Sequence, residues 1–147
     1  MAILSWLNDD RIATPEMQNF WRLRDHQIPT TAGAYILIAA PGTTFTYPSG
    51  ESSVFYIGMA SYLRARLRQH LKYAEQARSD RQNWLYWARY EYAAAFGGRY
   101  AWVPTWPGMG SRNLEYLLMA LFAKKYHSFP VANGAGAWKK IESVFSA

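Results

Sequence analysis

Apolar and polar positions along the chain fall into two periods. The run AGAYILIAA (residues 32–40) is apolar without interruption and bounded by turn signals, the pattern of a buried strand. After a loop, PGTTFTYPSGESS (41–53), with room for a strand extension over residues 43–47, VFYIG begins a second strand. The connection is too short for a crossover helix, so the two strands are expected to pair antiparallel. From Ser61 to about Ser79 the spacing changes. Leu63, Leu67, His70 or Leu71, and Ala74 recur on one face of a helix.

Other elements follow from caps and breakers. TPEMQNFWRLRDH (14–26) reads as a helix with Thr14 as N-cap and Pro15 at the first helical position, running to about residue 28, where Pro29 ends it. Between 84 and 94, Tyr86, Ala88, Tyr90 and Tyr92 alternate with Trp87, Arg89 and Glu91, which predicts a third strand. Gly97-Gly98 would turn it into a hairpin with RYAWV. A loop over 103–111 leads to helix formers from about Arg112 to Tyr126, capped by Ser111 and stopped before Pro130, and residues 137–145 form a short amphipathic closing helix. This αββαβ(β)αα order predicts an α+β fold, a small antiparallel sheet of three or more strands flanked by helices. With 147 residues, no repeats and no low-complexity tract, a single domain over 1–147 is expected.

Composition narrows the setting. Hydrophobic residues make up 50%, enough for a packed core, and the absence of Cys excludes disulfides and thiolate metal sites. The opening MAILSWLNDDR has acidic residues directly after a short apolar patch, unlike a secretory signal, and no apolar run is long enough to span a bilayer. A cytoplasmic protein without membrane partners is expected. The net charge of +6 permits a polyanionic partner. Its distribution says more: Arg64, Arg66, Arg68, Lys72, Arg78 and Arg81 crowd residues 64–81 against Glu75 and Asp80 only, a density suited to a phosphate backbone or to a plain solvated helix face. Aromatic residues reach 17% and concentrate in WLYWARYEY and RYAWVPTW, where core packing is a stronger explanation than base stacking.

Within this frame one set of residues carries chemistry. Arg66 and His70 lie one turn apart on the basic helix, just after Tyr56 at a strand end. Gly33-Ala34-Tyr35 on the first strand and Tyr56-Ile57-Gly58 on the second resemble the signature pair of the GIY-YIG nuclease family. Arg66 and His70 then fall where the family's first helix carries its arginine and histidine. Glu115, in NLEYLLMALFAKKY, matches the family's metal-binding glutamate, and Asn133, in FPVAN, matches its closing asparagine. The resemblance covers about residues 32–134, with the helix at 14–28 and that at 137–145 as additions and 41–53 as an insertion. Ala34 replaces the middle Ile of the first motif. Three residues after Tyr56, where some members carry a lysine that lowers a tyrosine's pKa, stands Met59.

The resemblance implies a metal-dependent endonuclease that hydrolyses DNA phosphodiester bonds and leaves a 5′-phosphate and a 3′-hydroxyl. In the implied site, Tyr35 and Tyr56 orient the attacking water, Arg66 forks onto phosphate oxygens, Glu115 holds one Mg²⁺ or Mn²⁺ ion, and Asn133 closes the motif. A free phenol titrates near 10, and with Met59 in place of lysine His70 becomes the better proton acceptor, working near its ordinary pKa of about 6.5. Taken singly, each residue has a plainer structural explanation: a packed tyrosine, a solvated arginine, an early-helix acid, an asparagine in a turn. Met59 also suits a second reading, a nucleic-acid-binding module with weak or lost cleavage, and the Trp-rich segment a third, a protein-interaction domain. The substrate expected is DNA, with branched and single-stranded forms included. Specificity would come from the added segments, a homodimer or a partner protein.

Overall fold

The uninterrupted apolar run becomes the middle of a sheet. A computed structural model describes residues 3–79 and 87–133. Its elements follow in the order β1 (Gln18–Asn19), a 3-10 turn (Phe20–Asp25), β2 (Gly33–Ala39), β3 (Phe45–Tyr47), β4 (Gly50–Ser52), β5 (Val54–Ala60), α1 (Leu63–Ser79), α2 (Ala88–Phe96), β6 (Gly97–Pro104), α3 (Ser111–Tyr126) and a second 3-10 turn (Val131–Asn133). Among the described residues, four strands form an antiparallel sheet in the order β1-β6-β2-β5, and β3 and β4 make a separate hairpin. The fold is α+β with an antiparallel sheet and flanking helices, as the residue pattern predicts. No helix among the described residues is long and apolar enough to cross a membrane.

Every residue of β2 is buried because the strand is covered on both faces. Ala34, Ile36 and Ile38 pack with Leu114, Leu118 and Phe122 of α3, while Tyr35, Leu37 and Ala39 pack with Leu63, Leu67 and Leu71 of α1. Period-two alternation therefore feeds two cores, which is why the sequence shows no polar face there. Each fully buried Leu or Ile in these layers contributes about 1.5–3 kcal/mol relative to exposure.

Four local expectations are corrected. The helix over 14–28 does not form. Thr14 and Pro15 precede a two-residue strand that pairs Gln18 with Tyr100 and Asn19 with Arg99. Asn19, not Thr14, then caps a six-residue 3-10 turn by accepting from the Trp21 amide at 2.9 Å. Phe20 and Leu23 are both buried there, and three residues per turn sets them on one side. In the stretch read as a third strand, the described part is helix α2, while 84–86 lie outside the described residues. Tyr90, Ala93 and Ala94 are its buried positions, a three-and-four spacing, and the alanines at 93–95 favour helix. Gly97-Gly98 is not a hairpin turn but the junction where α2 runs directly into β6, and a Cβ at Gly97 would stand 2.5 Å from the Ala93 carbonyl oxygen. Ser111 is the first residue of α3 rather than its cap, which is Gly110. The insertion at 41–53 folds as the β3–β4 hairpin, anchored by Tyr47, whose hydroxyl donates to the Val54 carbonyl at 2.7 Å. The closing helix at 137–145 lies outside the described residues.

Candidate active site

Strand register sets the two signature tyrosines on one face of the sheet: Tyr35 pairs with Gly58 and Leu37 with Tyr56, so alternation along both strands points the two phenols the same way. In the β2–β5 pairing Leu37 stands opposite Tyr56 but Ile38 stands opposite Val54, so Phe55 is the extra residue. Simple alternation would have sent Phe55 to the face opposite Tyr56. The bulge instead adds Phe55 to the core that already holds Tyr35 and Tyr56. Tyr35 itself lies opposite Gly58, and its ring crosses the space a side chain there would fill. The two phenol rings are 6.0 Å apart.

Helix α1 supplies the next two residues from a fixed start. Its first amides are taken by the preceding loop, Leu63 N–H donating to the Thr31 carbonyl and Arg64 N–H to that of Pro29, while Arg64 Nε donates to the Ile28 carbonyl. This pinning delivers Arg66 and His70 to the tyrosines. His70 is fully buried, its Nε2 2.7 Å from the Tyr35 hydroxyl, with the rings of Tyr35, Tyr56 and Tyr90 around it. Burial, reinforced by the Arg66 and Arg89 charges, holds its pKa down at about 3. His70 is therefore a neutral imidazole at physiological pH, which corrects the expectation that it titrates near neutrality.

Burial acts on the phenols in the opposite sense. It pushes Tyr35 well above the usual tyrosine range, with Tyr56 adding to the rise and Arg66 and Arg89 opposing it. Tyr56 is also raised, mainly by burial and further by the Glu115 charge, against the pull of Arg89 and then Arg66. Tyr35 is wholly enclosed whereas Tyr56 keeps 9% of its surface open, so Tyr56 is the phenol with access to solvent.

Arg66 is half-buried, donating from Nη1 to Gln69 Oε1 at 3.0 Å, and its Nε is buried without a partner. Arg89 is the residue that sequence reasoning missed. Placed there in an expected strand, alternating with the tyrosines, it lies near the start of α2, with its guanidinium 5.3 Å from the Trp87 ring and 5.0 Å from the Tyr90 ring. Among the described residues its charge pulls most strongly on Tyr56, and its Nε is likewise buried and unpartnered. Among the described residues neither arginine makes an ion pair. The aromatic-rich context was visible in the sequence, but only the packing of α2 against α1 brings Arg89 in.

Glu115 projects from the first turns of α3, half-buried, close enough for its charge to act on Tyr56. Because β5 is an edge strand, side chains from helices on the two faces can meet beside it. Asn133 seals that edge. Its amide oxygen accepts from Ile57 N–H at 3.0 Å and its amide nitrogen donates to the Ile57 carbonyl at 2.8 Å, as a neighbouring strand would. Its side chain is thus spent on positioning β5. Sequence reasoning grouped Tyr35, Tyr56, Arg66, His70, Glu115 and Asn133. The fold gathers the first four in one cluster, sets Glu115 at its margin, and uses Asn133 to hold the strand.

No group of three or more His, Cys, Asp or Glu side chains among the described residues forms a metal cage. A single carboxylate such as that of Glu115 can nevertheless serve a hard divalent cation such as Mg²⁺, which keeps several waters and binds through one or two carboxylates plus substrate phosphate. Compared with known proteins, the chain matches no family model, no curated protein and no solved structure.

Proposed function

We propose that the chain is a metal-dependent endonuclease of the GIY-YIG type that hydrolyses DNA phosphodiester bonds. The observation that carries this reading is the pair of guanidiniums, Arg66 and Arg89, whose Nε groups are unpartnered beside the Tyr35–Tyr56 pair. Two planar cations that make no ion pair among the described residues suit the non-bridging oxygens of a phosphate. Tyr56, the phenol with surface access, orients a water for in-line attack on phosphorus. A bond forms from the water oxygen to phosphorus, the bond to the 3′-oxygen breaks, and that oxygen takes up a proton, leaving a 5′-phosphate and a 3′-hydroxyl. Arg66 and Arg89 stabilise the charge that builds on the phosphoryl oxygens. The Tyr35–His70 hydrogen bond supports Tyr56 from behind. Glu115 is the residue that would hold one Mg²⁺ or Mn²⁺ ion, which supplies further neutralisation of the phosphate charge.

A second reading, a DNA-binding module without efficient cleavage, is favoured by one observation. Tyr35, Tyr56 and His70 are all held neutral around pH 7, and Met59 adds no cation to change that. Incubation of plasmid, duplex, flap and single-stranded DNA with and without Mg²⁺ or Mn²⁺ separates the two. Cleavage that requires the metal and disappears in Glu115→Gln, with DNA binding kept near wild type, supports the nuclease; binding with no cut under any condition supports the module.

A further inference from the structure

Beside Arg66 the surface opens into a cavity of about 500 Å³, lined also by Met59, Ser61, Tyr62, Ala65 and Gln69. Tyr62 is 67% exposed, and among the described residues its ring makes no contact with another ring or a cation. Trp87, comparably exposed, already has the Arg89 guanidinium over it. A single exposed aromatic is ordinary on a protein surface; its company is what matters. The Tyr62 carbonyl accepts from Arg66 N–H at 3.0 Å, so the two residues are one helical turn apart and on the same face. The pocket therefore offers an open phenol face, an adaptable thioether from Met59, small residues at 60 and 65, and the Arg66 guanidinium in its lining.

We propose that this pocket holds one unpaired nucleotide, with its base stacked on Tyr62 and its phosphate on Arg66, so that the substrate is DNA that is single-stranded at or beside the cut bond. This inference rests on the reading of Arg66 as a phosphate clamp. In a duplex both faces of each base are covered by stacked neighbours and the edge is paired. Only a base free of its stack can lie on Tyr62 while its own phosphate reaches the arginine one turn away. Ser61 and Gln69 supply a hydroxyl and an amide at the pocket's margin for the edge of such a base.

The test reads binding in the absence of divalent metal, by fluorescence anisotropy of a labelled oligothymidylate and of a blunt duplex of equal length. Tyr62→Ala should weaken oligothymidylate binding about tenfold, the weight of one stacked base, and leave duplex binding unchanged. Tyr62→Trp should retain it, whereas Arg66→Ala should weaken both probes. The proposal is overturned if Tyr62→Ala binds oligothymidylate like wild type, if it loses both probes equally, or if the wild type does not bind oligothymidylate at all. Cleavage is scored separately: a wild type that cuts blunt duplex as fast as single strands overturns the pocket's role and leaves the nuclease reading standing, whereas Tyr62-dependent binding without any cleavage does the reverse.

Discussion

Gly58 and Tyr35 stand opposite each other on β5 and β2, and a Cβ placed on Gly58 would lie 2.4 Å from the Tyr35 hydroxyl oxygen. The glycine is there because the tyrosine's ring needs its space. Gly58→Ala should push the ring off His70 or force the strands apart, at a cost of about 1–3 kcal/mol of stability from overpacking. Thermal denaturation should show a lowered Tm. A variant as stable as wild type would mean that Tyr35 has another place to go.

The buried His70 makes stability depend on acid. Its pKa is about 3 in the fold and 6.5 when unperturbed, so between these values the unfolded chain carries the proton and the folded one does not. The contribution is then fully present above about pH 6.5 and is lost as the pH falls toward 3, by a few kcal/mol in all. His70→Gln keeps a polar group for Tyr35 but cannot titrate. Urea midpoints measured down this range should fall less steeply for His70→Gln, and parallel slopes would contradict the assigned burial.

The same depressed pKa shapes the expected rate profile. A histidine that stays neutral far below pH 7 cannot produce an ionisation limb near neutrality. Single-turnover cleavage should therefore show no such limb from His70, and His70→Ala should lower the rate while keeping the profile's shape. A limb near pH 6.5 that vanishes only in His70→Ala would restore the histidine as proton acceptor.

Arg89 should matter as much as Arg66. If both guanidiniums hold the phosphoryl group in the transition state, Arg66→Ala and Arg89→Ala should each cost about 2–4 kcal/mol, by analogy with loss of an oxyanion donor. Replacement by Lys should rescue only in part, because an ammonium lacks the planar fork. Wild-type turnover in Arg89→Ala would remove it from the site and leave Arg66 alone there.

Acid sensitivity and a second guanidinium were both illegible in the sequence, for related reasons. The depressed pKa of His70 comes from how completely α1, α2 and β2 enclose it, and the chain shows only a histidine on the edge of an apolar stripe. Arg89 belongs to a stretch whose tyrosines alternate at strand spacing, and burial at the three-and-four spacing of Tyr90, Ala93 and Ala94 decided for helix. A short run of mixed aromatics fits both periods, so contacts rather than pattern settle it. The helix expected at 14–28 failed for a similar cause. Gln18 and Asn19 found backbone partners on β6, and capping signals in Thr14 and Pro15 could not outweigh that pairing.

What the sequence determined by itself were the features fixed by short-range physics. Turn-bounded apolar residues gave β2 and β5, and regular spacing of Leu63, Leu67, Leu71 and Ala74 gave α1 and with it the one-turn separation of Arg66 and His70. What only the tertiary structure decided were the relations across strands. The β2–β5 register sets Tyr56 on the face of Tyr35, Asn133 closes the β5 edge on Ile57, and α2 carries Arg89 to the phenols. Each of these depends on residues distant along the chain meeting in one register. A local pattern carries no record of register, because sliding a strand by one residue leaves its composition the same and reverses which side every residue faces.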